Sequence, residues 1–222
     1  MAELYHLGVD DSDLPNAALL VEPELADLVW PTSWRRTPLA RRREFNSWLL
    51  STADDAALVC SGGLGSPACV IALEELARAG CRVVLNLGVC RCADCEPGDG
   101  KHSLVVVTGA AREEGTSADY APSAFPAVPD PRFLLSLQEA LPGATSEIVR
   151  TVDVPDAWRG LARDHPAPPR PVDLASAALF VSGAARGVSV GSVLTTPRAA
   201  ARIDLDAVLT ALSAPAYGSR HA

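Results

Sequence analysis

Residues 56–89 constrain the fold more than any other part of the chain. "AALVCSGGLGSP" (56–67) is an apolar run that enters a glycine-rich turn. "SPACVIALEELARAG" (66–80) sets apolar residues at helical spacing and stops at a glycine. "CRVVLNLGV" (81–89) follows as a near-continuous apolar strand, a pattern that needs cover on both faces. Strand, crossover helix and strand in that order are the unit of a parallel sheet. The alternation extends along the chain. "AALLVEP" (17–23), "SLVVVTGAA" (103–111) and "VSVGSVLTT" (188–196) read as strands. "DPRFLLSLQEAL" (130–141), with Pro131 in its first turn, "VDLASAALFVSGAARG" (172–187), ending at Gly187, and "DLDAVLTALSA" (204–214) read as helices. The expectation is a single α/β domain over 1–222, a three-layer α/β/α arrangement on a mostly parallel, twisted central sheet. "HPAPPRP" (165–171) reads as a loop inside that domain rather than a boundary.

Composition narrows the function classes. A chain of 222 residues, 48% hydrophobic and 21% charged, is long enough and apolar enough for one full core. Its net charge of −8 argues against a nucleic-acid partner or an anionic membrane surface. No apolar run reaches membrane-spanning length, and "MAELYHLGVDDSD" lacks the basic and apolar regions of a signal peptide. A cytoplasmic location is therefore expected, where six cysteines stay reduced unless they bind metal or do redox work.

Two stretches carry candidate chemistry. Gly62 and Gly63 open the helix that starts near residue 66, and backbone N–H groups there form an anion cradle. The same glycines serve equally for tight strand–helix packing, and the spacing fits neither a dinucleotide fingerprint nor a P-loop. The second stretch is "VCRCADCEPGDGKH" (89–102). Cys90, Cys92, Cys95 and His102 form C-x-C-x₂-C-x₆-H, a set that suits tetrahedral zinc, the one metal these residues suggest. No cofactor is certain. Two further readings stand beside the zinc site: packed, unmetallated thiols, or a reactive thiol with Cys90 as nucleophile. His102, Arg91 or a partner's histidine would then activate it. Cys60, Cys69 and Cys81 sit in apolar segments and read as small core hydrophobes.

The order of motifs is more specific than any one of them. "YHLGVDDSDL" (5–14), "RREFNSW" (42–48), "VCSGGLGSPACVIALEELARAG" (59–80), "LNLGV" (85–89), "AREEGTSADYAPSAFPAVPDP" (111–131) and "VDLASAALF" (172–180) occur in that sequence. The series resembles the nucleoside phosphorylase superfamily, its uridine phosphorylase branch above all, from residue 5 to about residue 200. The resemblance implies a central sheet that partly closes into a barrel. It also implies symmetric dimers, often joined into trimers of dimers. Family members break the N-glycosidic bond of a nucleoside with phosphate or water as acceptor.

Carried over residue by residue, the resemblance implies a degenerate site. The family's first phosphate loop reads Pro-Gly-Asp-Pro-x-Arg; here "VEPELAD" (21–27) puts Glu22 at the glycine and Ala26 near the arginine. The family turn Arg-x-Gly-Thr becomes Asn86-Leu87-Gly88-Val89. The ribose-binding Glu-Met-Glu-Ser becomes Asp173-Leu174-Ala175-Ser176, without the carboxylate that grips sugar hydroxyls. "LTTPRAA" lacks the acid of the purine branch, and Arg198 resembles the base-facing arginine of the uridine branch. Gly62, Gly63, Asn86, Gly88, Arg112, Asp173 and Leu174 are the substrate-binding residues carried over, with Cys90, His6 and Arg198 as catalytic candidates. His6 and Arg43 keep family identities, and in relatives both reach into a neighbouring subunit's site. The loss of charge-assisted phosphate contacts, each worth about 1.5–3 kcal/mol, argues against phosphorolysis.

Four functions follow from these residues. The first is a repurposed protein that binds or transforms a nucleoside-like or other small metabolite without inorganic phosphate, working as a homo-oligomer. The second is a pseudoenzyme subunit that lends His6 and Arg43 to an active paralogue in a hetero-oligomer. The third is a zinc or thiol protein acting through residues 90–102. The fourth is a nucleosidase or phosphorylase with shifted ligands.

Overall fold

The apolar runs become the innermost strands of one sheet. The computed structural model describes residues 3–10, 14–25, 30–91, 104–154, 171–196 and 203–213. Strand β1 (Ala17–Val21) is buried at every position. It lies between β4 (Ala56–Ser61) and β5 (Val83–Val89), parallel to both. β5 is also fully buried and pairs in parallel with β9 (Ser189–Thr195). β6 (Leu104–Glu113) runs antiparallel to β9, and β7 (Thr145–Val152) and β8 (Val172–Asp173) follow parallel to β6. A hairpin, β2 (Arg35–Arg42) and β3 (Phe45–Ser51), extends the other side, giving the order β2-β3-β4-β1-β5-β9-β6-β7-β8.

Helices cover both faces. Ala18 and Leu20 of β1 pack with Leu73 and Leu76 of α1 (Ser66–Arg78) and Leu179 of α3 (Ser176–Arg186). The alternate residues Ala17, Leu19 and Val21 share the opposite core with Phe133 of α2 (Pro131–Ala140) and Leu209 of α4 (Leu205–Ser213). Each leucine buried this way contributes about 1.5–3 kcal/mol. Asp130 caps α2 by accepting from Arg132 N–H at 2.9 Å and Phe133 N–H at 3.0 Å, with Pro131 next to it. Gly187 ends α3 in the left-handed conformation at φ 68. The three-layer expectation holds. None of the described helices is long and apolar enough to cross a membrane.

The sheet also closes on itself. Arg91 N–H donates to the Val172 carbonyl at 2.9 Å, and Val172 N–H returns to the Arg91 carbonyl at 2.7 Å. This bridge joins the end of β5 to β8, so β5, β9, β6, β7 and β8 enclose a partial barrel, as the resemblance implies.

Three elements differ from the sequence reading. Arg35–Ser51 is a hairpin, although Pro38 and its arginines give no strand pattern; an edge strand tolerates both. Thr145–Val152 forms β7 where no element is expected from the sequence. The helix read over 172–187 starts at Ser176, because Val172 and Asp173 pair with β7 and Asp173 then turns the chain.

Candidate functional site

Two neighbouring cavities gather most of the candidate residues. The first is a cleft at the C-terminal ends of β1, β4 and β5, where strand ends leave backbone groups unpaired and open helix N-termini. Glu22, Gly62, Gly63, Asn86, Gly88, Asp173, Leu174 and Ala175 line it, with Cys69 and Leu194. Of the sequence candidates, Gly62, Gly63, Asn86, Gly88, Asp173 and Leu174 come together here.

Glu22 dominates the cleft. Its backbone N–H donates to the Leu87 carbonyl at 3.0 Å, continuing the β1–β5 ladder. That fixes its side chain over the turn, where Oε2 accepts from Val89 N–H at 2.6 Å. A Cβ at Gly88 would stand 3.2 Å from the same oxygen, so glycine there admits the carboxylate. Burial pushes the Glu22 carboxyl up to about 7, against the Val89 N–H; Glu24 and Asp173 add to the rise and Arg91 opposes it. The carboxylate is held by one backbone donor, Val89 N–H, at the edge of the cleft. It leaves about 10 Å³ of free space, near what one water requires.

A buried polar network forms the cleft floor. Asn86 Nδ2 donates to Ser192 Oγ at 3.0 Å, and Ser192 shares a hydrogen bond of 2.9 Å with Ser176 Oγ. Asp173 is 2% exposed. It accepts from Thr151 Oγ1 at 2.6 Å and from Ser176 N–H at 2.7 Å. Burial pushes its carboxyl up, opposed by these donors. Asp173 therefore ties β7 to the start of α3 as well as facing the cleft. Ser66 Oγ holds the Leu174 carbonyl at 2.7 Å.

The second cavity is an open basin of about 220 Å³ lined by Tyr5, His6, Arg42, Arg43 and Phe45. His6 sits on a tight hairpin closed by Leu4 N–H to the Val9 carbonyl at 2.8 Å and Gly8 N–H to the Leu4 carbonyl at 2.7 Å. Gly8 has φ +67, and a Cβ there would meet Arg42 at 2.8 Å. Arg42 pairs with Glu3 and donates to the Tyr5 carbonyl at 3.0 Å, bracing the hairpin. Arg43 takes the strained turn position between β2 and β3 at φ 51 and makes no ion pair among the described residues. Gly63 joins the two cavities, since a Cβ there would lie 3.6 Å from Phe45.

Two expectations need correction. Arg112 does not reach the cleft with a free donor. Its Nε–H goes to Ser117 Oγ at 2.9 Å, Nη1 to the carbonyls of Pro122 at 2.6 Å and Phe125 at 2.9 Å, and Nη2 to those of Ser117 at 3.0 Å and Ala121 at 2.8 Å. All five guanidinium N–H groups are used to fold the loop after β6. Cys90 is 1% exposed and packs in the core. Burial pushes its thiol up to about 12, with the Asp173 and Glu22 carboxylates adding to the rise. It lacks the depressed thiol of a nucleophile.

Ala26, Cys92, Cys95, His102 and Arg198 lie outside the described residues. Among the described residues no three His, Cys, Asp or Glu side chains form a metal-binding group. Ser192, Thr151 and Glu75 escape the sequence reading. Glu75 alone has a legible signal, a carboxylate on the apolar face of α1 between Ala72 and Leu76.

No family model matches the chain. It is 34% identical over 167 residues to uridine phosphorylase of Klebsiella aerogenes, covering 73% of this chain. It spans 65% of the length of that relative. Guanosine phosphorylase of Halorubrum lacusprofundi is 31% identical over 204 residues, covering 88% of this chain and 83% of the relative. The crystal structure of uridine phosphorylase from Vibrio fischeri superposes with a TM-score of 0.81 at 25% identity, covering 96% of this chain and 98% of the other. Purine nucleoside phosphorylase from Toxoplasma gondii, in complex with immucillin-H, shares the fold at a TM-score of 0.81 and 21% identity, with 96% of each chain covered.

Proposed function

This chain belongs to the nucleoside phosphorylase family, and we propose that it binds a nucleoside-like small molecule over the mouth of the cleft, whose own free space of about 10 Å³ admits one water, and works without inorganic phosphate. The observation that carries this reading is Glu22, whose carboxylate rests on the Val89 N–H and fills the cradle a phosphate would need. A dianion entering beside an ionised carboxylate meets repulsion, and no arginine lines the cleft among the described residues. Water suits the same place. With its carboxyl raised to about 7, Glu22 exchanges a proton readily near neutral pH. In that reaction a water oxygen bonds to the anomeric carbon and gives its proton to Glu22. The glycosidic C–N bond breaks, its electron pair leaves on the base nitrogen, and the base takes up a proton. Asn86 and the buried serines hold the floor, and Ala175 offers no carboxylate to grip the sugar.

A second observation favours a shared site. Arg43 keeps a guanidinium with no ion pair among the described residues, on a strained backbone lining an open basin together with His6. Backbone strain of this kind, worth about 1–3 kcal/mol, persists at positions that function maintains. We infer that His6 and Arg43 face a second subunit's cleft in a homo-oligomer, or that of an active paralogue in a hetero-oligomer.

The test is a panel of purine and pyrimidine nucleosides in phosphate-free buffer, read by thermal shift and by release of free base. Binding by the wild-type chain, with base release lost in Glu22→Gln, supports the proposal. Base release that appears only on adding phosphate contradicts it. Mixing Arg43→Ala with wild-type chains then separates a shared site, in which activity falls out of proportion to the variant's share, from a self-contained one.

A further inference from the structure

His6 is held from below by a buried carboxylate on another element. Glu75 of α1 is 2% exposed and lies 69 residues along the chain. Its two oxygens accept from His6 N–H at 3.0 and 3.1 Å, from Leu7 N–H at 3.0 Å, and meet His6 Nδ1 at 2.8 Å. Three donors converge on one carboxylate, and each is set by the same hairpin. Burial alone works against ionisation of Glu75, but the donors of Leu7 and His6 outweigh it and hold the carboxyl below the usual range. An ionised carboxylate only accepts hydrogen bonds, so the proton in this contact sits on Nδ1. Nε2 is then the nitrogen left for the basin. Tyr5 flanks the ring edge-on at 4.9 Å between ring centroids, and Phe45 at 6.2 Å. The imidazole remains 33% exposed on its outer side. Arg78 Nη2 lies 4.0 Å from Glu75 Oε1.

We propose that Glu75 is the positioning residue that locks His6 in its Nδ1–H tautomer and delivers Nε2 to the basin as a proton acceptor. A carboxylate that fixes a histidine tautomer through Nδ1 leaves the opposite nitrogen poised for a ligand hydroxyl or proton. The ligand class that fits is a neutral group with an O–H or N–H donor, bound beside the Arg43 cation. This rests on His6 being a ligand-facing group, yet the tautomer is measurable with no ligand present.

Two measurements on the full chain test it. The first records ring ¹⁵N shifts of His6, assigned by loss of its signals in His6→Asn, at alkaline pH. The wild-type ring should be in the Nδ1–H form, the tautomer that histidine in water disfavours. In Glu75→Gln that form should give way to Nε2–H. A wild-type ring already in the Nε2–H form overturns the proposal. The second measures carbethoxylation of His6 by diethyl pyrocarbonate, read by peptide mass spectrometry, because the reagent attacks an exposed unprotonated nitrogen. Modification should slow several-fold in Glu75→Gln and recover in part in Glu75→Asp, with circular dichroism unchanged. Equal rates in wild type and Glu75→Gln overturn it. If Glu75→Gln fails to fold, the wild-type shifts and Glu75→Asp decide. A locked tautomer with no nucleoside binding would sink the functional reading above and leave this one standing.

Discussion

The cleft and the basin meet at Gly63 yet differ in nearly every physical property. The cleft is narrow, buried and carboxylate-lined, and its free space is filled by Glu22. The basin is open and cationic, with about 220 Å³ of room and Arg43 uncompensated among the described residues. Among the described residues, arginine lines the second cavity and not the first. A chain that had simply decayed would have little reason to keep a strained arginine and a buttressed histidine side by side. The contrast suggests that the cleft changed its chemistry while the basin kept its role.

The comparison breaks most visibly at Glu22. The folded chain holds the Glu22 proton more tightly than an unfolded one, with the carboxyl raised from 4.5 to about 7. Its stabilising effect is therefore fully present at low pH and is lost as pH rises through about 7. We expect wild-type stability to fall across that window by at most about 3 kcal/mol more than in Glu22→Gln, which does not titrate. Denaturant midpoints at several pH values measure the difference, and parallel pH profiles for the two proteins would show that Glu22 is not buried as described.

A smaller effect separates scaffold from site. Arg112→Lys replaces five fixed donors by three and leaves loop carbonyls unpaired. It should lower stability by about 1–3 kcal/mol while nucleoside affinity, measured on the folded fraction, stays unchanged. Affinity lost without a change in melting temperature would return Arg112 to the binding residues. The smallest effect is expected at Arg43. Arg43→Gly relieves the φ 51 strain and should leave stability unchanged or raised by up to about 1 kcal/mol. Activity of the oligomer should nevertheless drop, and a variant that is both stable and fully active would remove Arg43 from any site.

Legibility followed burial on both faces. β1 shows as an unbroken apolar run and β5 as a near-continuous one, interrupted by Asn86, because helices cover them on each side. β2 does not, because an edge strand with Pro38 and exposed arginines carries no apolar alternation and a single β-branched residue, Thr37. Val172–Asp173 looked helical because two apolar-flanked strand residues precede a strong helix without a break, and the turn is made by the Asp173 side chain rather than by glycine or proline. Glu22 was recognisable as a foreign carboxylate by position, yet its contact with Val89 depends on the β1–β5 register. The Glu75 contact with His6 spans 69 residues and no local pattern encodes it.

The most direct measurement is the rate of base release from the nucleosides the chain binds, followed as inorganic phosphate is titrated from zero to well above physiological levels. We expect a flat rate with wild-type protein, and a phosphate-dependent component only in Glu22→Gly, where the carboxylate has left the cradle. A saturable rise with phosphate in the wild-type chain would contradict the reading that Glu22 has taken the place of phosphate.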